Sequence, residues 1–224
     1  MKIYVNGDSY AWGAELENPE QDRFSKLISN QFECEEINQS ICGNSNHIIF
    51  PTTKKWIENN DTTDTYFIIV LTDFERDSHL PHLHLYSPEE CLINFGKEFL
   101  IMQDYFKKYN LNYFFIDGFS SYFSLIIKDE HTRIQQWPAH IRDKIVPLYN
   151  LDGYSKHTIK TFKDCLTQIE NVLYIDGKLS ILELSRNLDD YMPDGHPGKK
   201  THKRIADYII RKIQSNEPSR FKTI

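Results

Sequence analysis

The 224-residue sequence lacks several features that would assign it to a common class of protein. No stretch approaches the roughly 18 consecutive apolar residues of a membrane-spanning helix. The net charge is -6, and lysine and arginine form no tract dense enough to bind nucleic-acid phosphates. We therefore expect neither a membrane partner nor a nucleic-acid partner.

Cysteines are few, and they are widely spaced along the chain. The four thiols, at Cys34, Cys42, Cys91 and Cys165, do not have the close spacing of zinc sites or redox motifs. The amino terminus has no apolar run preceded by basic residues, so the sequence predicts no signal peptide. These absences favour a reduced, cytoplasmic protein with no bound metal.

What the sequence does contain is sufficient for one large hydrophobic core. Hydrophobic residues make up 40% of the chain and aromatic residues 13%, and neither a repeat nor a low-complexity linker divides it. We predict a single domain over residues 1–224. Residues 118–154 show no sustained period and are predicted to form a cover insertion over one side of the ligand-binding edge.

Apolar runs and helical periods alternate along the chain, which predicts parallel strands joined by crossover helices. The fold class predicted is α/β, a three-layer α/β/α sandwich around a parallel sheet of about five strands. The predicted strands are 2–6, 33–38, 66–71, 112–117 and 172–175. The predicted helices are 19–32, 47–59, 87–109, 156–169 and 199–213, with a short helix or turn over 179–188.

A Gly7-Asp8-Ser9 motif follows the first predicted strand directly. In open α/β sheets ligands bind beyond the carboxyl ends of the strands, so Ser9 is positioned for chemistry. The same three residues are also ordinary turn and helix-capping residues, because Asp and Ser accept hydrogen bonds from free backbone amides. Both interpretations of the motif remain open at this point.

A second motif, Asp194-Gly195-His196-Pro197, precedes the last helix. Ester hydrolysis needs a nucleophile, a base, an acid that orients the base, and donors for the oxyanion. Ser9 would attack, His196 would accept its proton, and Asp194 would orient the imidazole. The oxyanion would be held by the amides of Ser9 and Gly43 and by the side chain of Asn46.

These motifs resemble those of the SGNH (GDSL-type) hydrolase superfamily over nearly the whole chain. Gly7-Asp8-Ser9 is similar to the first block, whose serine is the nucleophile. Gly43 is similar to the second block, whose glycine amide donates to the oxyanion, and His196-Pro197 is similar to the fifth block, whose histidine is the base. The resemblance implies a flavodoxin-like sandwich with neither a metal nor an organic cofactor.

The chain departs from the superfamily pattern in two places. The third block has an asparagine after the third strand, whereas this chain has Leu71-Thr72-Asp73-Phe74, so Asn46 or the Thr72 hydroxyl would be the donor. The aspartate of the fifth block lies three residues before the histidine, where this chain has Pro193. Asp194 is then the candidate acid, with Asp190 as the alternative.

Arg76, after the third strand, is a candidate for substrate binding, because its planar guanidinium could hold a substrate carboxylate. It could equally pair with Asp73 or Glu75. The function predicted is a serine esterase or deacetylase that hydrolyses a small acyl ester, on a carbohydrate or other polar small molecule, through an acyl-serine. The alternatives are a binding protein of the same fold that has lost catalysis, and an acyltransferase. The sequence predicts no oligomeric state.

Overall fold

A computed structural model describes residues 1–72, 87–118, 154–177, 180–193 and 195–215. Its strands are β1 (Lys2–Asn6), β2 (Glu35–Asn38), β3 (Thr65–Leu71) and β4 (Asn112–Asp117). Its helices are α1 (Ser9–Trp12), α2 (Pro19–Asp22), α3 (Phe24–Gln31), α4 (Asn46–Asn59), α5 (Pro88–Lys108), α6 (Lys156–Leu166), α7 (Ile181–Asn187) and α8 (Lys199–Gln214). The predicted cover, 118–154, lies outside the described residues except at its two ends, so it stays a prediction.

The four strands form one parallel sheet in the order β2-β1-β3-β4. From β1 the chain moves to β2 on one side and later returns to place β3 on the other side. That reversal makes a topological switch point, where the loops after β1 and β3 diverge and leave a crevice at the carboxyl edge. Residues that follow β1 and β3 therefore lie where this architecture binds ligands.

Side chains alternate between the two faces of the sheet, because a strand has a period of two residues. On β1, Tyr4 belongs to one buried cluster, whereas Ile3 and Val5 belong to the other. The first cluster is completed by α4, α5 and α6, and the second by α1, α3, α7 and α8. The predicted three-layer α/β sandwich is confirmed.

In the predicted fifth strand, 172–175, Val172 and Ile175 each form an isolated bridge. The bridge of Val172 is parallel and pairs it with Phe115 of β4. Two backbone hydrogen bonds surround it, from Phe115 to Asn171 at 2.9 Å and from Leu173 to Phe115 at 2.8 Å. Isolated bridges are not a continuous ladder, so this segment is not a strand. In the part of the chain that the structure describes, the sheet thus has four strands rather than about five.

The helix predicted over 19–32 is two helices, α2 and α3, separated at Arg23. The backbone of Arg23 is extended, with ψ 147°. Its guanidinium donates two hydrogen bonds to the carboxylate of Glu36 on β2, at 2.7 and 2.9 Å. This bidentate pair fixes the side chain across the sheet edge, and the helix is interrupted where the backbone turns to reach it.

The longest of the described helices, α5, begins at the predicted capping box. The Ser87 hydroxyl accepts from the amide of Glu90, and the Glu90 carboxylate accepts from the amide of Ser87 at 2.7 Å. Its buried stripe is Leu92, Phe95, Phe99, Met102 and Phe106, as predicted. Within the described ranges no helix, α5 included, combines the length and the apolar character needed to cross a membrane.

Candidate active site

The serine turn, residues 7–9, connects β1 to α1 and puts Ser9 at the first position of that helix. Asp8 is the helix N-cap, and its Oδ1 accepts a hydrogen bond from the amide of Tyr10 at 2.9 Å. Its Oδ2 accepts another from the hydroxyl of Thr72, just after β3, at 3.0 Å. Asp8 therefore caps the helix and joins the ends of β1 and β3, the two strands of the switch point.

Gly7 allows the serine turn to lie directly against the sheet. A Cβ at this position would lie 2.8 Å from the Cβ atoms of Ala11 and Val70, a separation that no real side chain tolerates. Its carbonyl accepts hydrogen bonds from the Ile41 amide at 3.2 Å and from Asn44 Nδ2 at 3.3 Å. The serine turn is thus packed on β3 and bonded to the loop between β2 and α4.

Gly43 lies in that loop, exposed and with a left-handed backbone (φ 80°) that glycine adopts without strain. The turn around it is closed by a hydrogen bond from the Asn44 amide to the Ile41 carbonyl at 3.0 Å. Asn44 also bonds to Gly7, so this second loop lies beside the serine turn. The superfamily resemblance expects its oxyanion glycine in this place.

Asn46, the other predicted oxyanion donor, is completely buried at the start of α4. Its Nδ2 donates to the Thr72 carbonyl at 2.7 Å, and its Oδ1 accepts from the Thr72 amide at 3.0 Å. The side chain is therefore paired with one peptide group at the end of β3. A single Nδ2 hydrogen remains for any other acceptor.

Thr72, predicted to touch substrate, is also completely buried. Its hydroxyl donates to Asp8, and its peptide group pairs with Asn46. The contacts of Thr72 thus hold the serine turn and α4 onto the end of β3. Arg76 lies outside the described residues, and its role stays a prediction.

The histidine turn, residues 190–198, presents His196 just before α8. The Met192 amide donates to the His196 carbonyl at 2.8 Å, and Gly195 adopts a left-handed φ of 87° between them. A bridge between Tyr191 and Pro197 closes the turn. His196 is held by this compact turn, with its side chain 21% exposed.

The segments that carry Ser9 and His196 are in contact, although 187 positions separate the two residues in the sequence. The Tyr10 hydroxyl donates to the Gly195 carbonyl at 3.1 Å, and the Tyr10 ring lies edge-on to the imidazole with centroids 5.6 Å apart. Among the described residues no hydrogen bond joins Ser9 to His196. Hydrogen bonds between a catalytic nucleophile and its base are often long in the absence of substrate and shorten when it binds.

Glu15 is a member of the site that the sequence analysis missed. Its Oε2 lies 3.2 Å from Nδ1 of His196, and its side chain is 25% exposed. The residue has a left-handed backbone (φ 65°) in the turn that ends α1. No motif marks it, because a lone glutamate in a turn gives no indication of which distant side chain it meets.

Asp190 and Asp194 are the two acids predicted to orient His196. Asp190 Oδ2 accepts a hydrogen bond from the Thr201 amide at 2.6 Å, in the first turn of α8. A Cβ at Gly198 would lie 2.5 Å from Asp190 Oδ1, so the carboxylate is packed on that backbone. Asp190 therefore caps α8. Asp194 lies outside the described residues, and its role stays a prediction.

A second histidine, His202 of α8, is completely buried and stacks on Phe24 at 5.9 Å. Its Nδ1 accepts a hydrogen bond from the Phe24 amide at 3.2 Å. Burial lowers the pKa of His202 to about 4 from its ordinary value of 6.5, against the carboxylates of Asp190 and Asp22, which raise it. His202 is therefore a neutral packing residue rather than a second base.

No protein-family model and no curated protein sequence matches the chain. Solved structures match it over nearly its whole length. A lipolytic protein of the G-D-S-L family from Veillonella parvula has 12% identity and a TM-score of 0.55, covering 97% of this chain and 100% of its own. The psychrotrophic esterase EstA from Pseudoalteromonas sp., in a structure inhibited by monoethylphosphonate, has 16% identity and a TM-score of 0.53, covering 96% and 99%.

An acetyl-xylooligosaccharide esterase from Geobacillus, in a mutant form, has 15% identity and a TM-score of 0.50, covering 99% of this chain and 97% of its own. Identities this low establish the fold alone. The fold and the two turns define a three-layer α/β protein with a serine at the switch point of its sheet. The predicted resemblance is confirmed at the level of the fold: the chain has the fold of these G-D-S-L-type lipolytic proteins and esterases, the SGNH hydrolase fold.

Proposed function

We propose that the protein is a serine esterase or deacetylase that removes a small acyl group from a carbohydrate or another polar small molecule. The observation that carries the proposal is the contact between the serine segment and the histidine turn, through Tyr10 and Glu15. That contact brings a hydroxyl and an imidazole from opposite ends of the chain to one edge of the sheet. Acyl transfer to serine needs a base beside the hydroxyl, and an imidazole is such a base.

In the proposed reaction, Ser9 Oγ attacks the ester carbonyl carbon while Nε2 of His196 takes its proton. The tetrahedral oxyanion accepts hydrogen bonds from the amides of Ser9 and Gly43. The C–O bond to the alcohol then breaks, and His196 returns the proton to the departing alkoxide. Water, deprotonated by His196, attacks the acyl-serine, so that the carboxylic acid leaves and Ser9 regains its proton.

Asn46 is the weaker of the predicted oxyanion donors. Its amide is already paired with the peptide group of Thr72, and it is completely buried. Gly43 is exposed on a loop bonded to the serine turn, so its amide is accessible to a substrate. In the proposed reaction the amides of Ser9 and Gly43 are therefore the main oxyanion donors, and Asn46 donates at most one hydrogen bond.

Three exposed apolar side chains belong to the segments that carry the candidate site. Trp12 of α1 is 40% exposed, Ile41 of the loop after β2 is 59% exposed, and Tyr191 of the histidine turn is 44% exposed. We propose that the surface they expose contacts the apolar part of the substrate. An acyl chain or the face of a sugar ring would cover it, consistent with the acetyl-xylooligosaccharide esterase among the structural relatives.

The test measures hydrolysis of p-nitrophenyl acetate and of acetylated xylooligosaccharides, together with labelling by a fluorophosphonate probe. We expect turnover and labelling of the wild type at Ser9, and a loss of about 10³-fold or more in kcat for Ser9→Ala. Ser215→Ala, in the exposed turn after α8, is the matched control. Turnover that persists in Ser9→Ala would contradict the proposal, and an unlabelled, inactive wild type would favour the binding protein.

The acyltransferase alternative is distinguished in the same assay. Both reactions form an acyl-serine, and they differ in whether water or another alcohol accepts the acyl group. We expect free acid as the main product when a sugar acceptor is added. An acylated sugar as the main product would assign the transferase instead.

A further inference from the structure

The carboxylate in contact with the imidazole of His196 comes from the serine segment rather than from the histidine turn. Glu15 Oε2 lies 3.2 Å from Nδ1 of His196. The other ring nitrogen, Nε2, is the one that acts as the base in the proposed reaction. Both side chains are about four-fifths buried, which limits screening of the pair by water. A carboxylate in this position accepts the Nδ1 hydrogen and leaves a lone pair on Nε2.

The backbone holds Glu15 in position for this contact. The amides of Gly13 and Ala14 both donate to the Ser9 carbonyl, at 3.0 and 2.9 Å, and so close the end of α1. Glu15 follows with a left-handed φ of 65°, and Leu16 is then buried. The turn is therefore anchored to Ser9 itself on one side and to the core on the other.

Asp190, the described acid within the histidine turn itself, is committed elsewhere. Asp190 caps α8 through Thr201, and its own carbonyl accepts hydrogen bonds from the Gly198 amide at 2.9 Å and the Ser185 hydroxyl at 2.6 Å. Rotating its carboxylate toward His196 would uncap α8. Asp190 is thus a structural residue of the histidine turn.

We propose that Glu15 is the positioning residue for His196, so that the orienting acid is supplied by the turn after the nucleophile and not by Asp194 or Asp190. This inference rests on the proposed function of Ser9 and His196. It makes residues 9–15 a single unit that supplies the nucleophile and, six residues later, the carboxylate that orients its base. His196 would be the member of the site contributed by the other end of the chain.

The test compares Glu15→Gly with Glu33→Gly. Glycine suits the left-handed backbone at both positions, since φ is 65° at Glu15 and 50° at Glu33, so neither variant is expected to lower the Tm. Glu33 is exposed and lies before β2, at the opposite edge of the sheet. We expect kcat to fall by 10²-fold or more in Glu15→Gly, an order of magnitude typical of a lost orienting acid, with KM unchanged, and both to stay at wild-type values in Glu33→Gly.

Two further variants separate the acids. Glu15→Gln keeps the volume of the side chain but not its charge, and we expect it to lose activity as Glu15→Gly does. Asp194→Ala should retain kcat within about threefold of the wild type. A Glu15→Gly variant with wild-type kcat, or an Asp194→Ala variant that loses as much as Glu15→Gly, would overturn the assignment while leaving the serine esterase intact.

A measurement independent of turnover is the tautomer of His196, read from the imidazole nitrogen shifts of protein labelled with ¹⁵N-histidine and assigned with His196→Gln. We expect the Nδ1–H tautomer in the wild type and in Glu33→Gly, and a shift toward Nε2–H in Glu15→Gly. An unchanged tautomer in Glu15→Gly would refute the inference whatever the activity. A wild type that is neither active nor labelled at Ser9 refutes the proposed function, and the catalytic role of Glu15 with it.

Discussion

The serine turn and the histidine turn meet at one edge of the sheet, but they are held there differently. The serine turn is part of the sheet packing: Gly7 has no room for a side chain, and Asp8 bonds to Thr72 at the end of β3. Its position is therefore fixed by the hydrophobic core and by buried hydrogen bonds. Changes in this turn should cost folding stability first.

The histidine turn is bonded mainly to itself and to α8, through Met192, Gly198 and Asp190. It reaches the serine segment through the side chains of Tyr10 and Glu15. Each of these contacts is a single polar pair, so each contributes only about 1 kcal/mol to the free energy of unfolding. The comparison indicates that the core fixes the nucleophile, whereas a few side chains align the base. Changes to those side chains should therefore lower the catalytic rate more than the folding stability.

The largest effect is expected for Gly7→Ala, which tests the first half of the comparison. The added Cβ would lie 2.8 Å from the Cβ atoms of Ala11 and Val70, and neither the strand nor the helix can move away cheaply. We expect a loss of about 3 kcal/mol in the free energy of unfolding, measured by urea denaturation. Gly43→Ala is the control, because its Cβ would meet nothing within 4 Å and only the strain of φ 80° remains, at about 1 kcal/mol. Equal losses in the two variants would exclude close packing as the cause.

The next effect concerns the support of the histidine turn and depends on pH. His202 of α8 is protonated at a pKa of about 4 in the folded protein but at 6.5 when unfolded. Between these two pH values the unfolded chain binds more protons than the folded protein. The free energy of unfolding therefore has its full value above pH 6.5 and falls as the pH drops toward 4, by roughly 3 kcal/mol at most. His202→Asn keeps an acceptor for the Phe24 amide but cannot titrate. We expect the unfolding free energy of this variant, measured in urea at a series of pH values, to change less with pH in this window. An unchanged pH dependence would show that His202 is not the group responsible.

The sequence predicted β1, β3 and β4 well, because each is a short, largely apolar run that is mostly buried. β1 and β4 have the predicted bounds, and β2 and β3 differ by one or two residues at their starts. The start of α5 followed from the Ser87 to Glu90 capping box, a purely local signal. The fold was thus predictable where local pattern and burial agree.

Side-chain contacts over long sequence distances were not predictable. The break at Arg23 coincides with its pair to Glu36, which forms only once β2 lies beside the helix. Glu15 meets His196 across 181 positions, so its role has no sequence signature. The superfamily motifs indicated where Ser9, Gly43 and His196 lie in the chain, but not which acid contacts the imidazole.

A smaller effect is expected from Thr72→Val, which removes the hydroxyl that bonds to Asp8 without changing the shape of the side chain much. Both residues are completely buried, and the acceptor is a carboxylate. We expect a loss of about 2 kcal/mol in the free energy of unfolding. Thr167→Val, whose exposed hydroxyl bonds to Asp164 at 3.0 Å, should lose less than about 0.5 kcal/mol. Similar losses in the two variants would mean that the hydrogen bond from Thr72 to Asp8 does not stabilise the serine turn.

The smallest change in stability, and the sharpest test of the second half of the comparison, is expected for Tyr10→Phe. Phenylalanine keeps the ring that packs against His196 at 5.6 Å but loses the hydrogen bond to the Gly195 carbonyl. We expect about 0.5 to 1 kcal/mol less stability and a fall of a few fold in kcat with KM unchanged, because the histidine turn loses one of its links to the serine segment. Tyr109→Phe, at the exposed end of α5 at the opposite edge of the sheet, should change neither quantity. If Tyr10→Phe lowered stability by about 2 kcal/mol and left kcat at the wild-type value, the tyrosine hydroxyl would be stabilising the core rather than aligning the base.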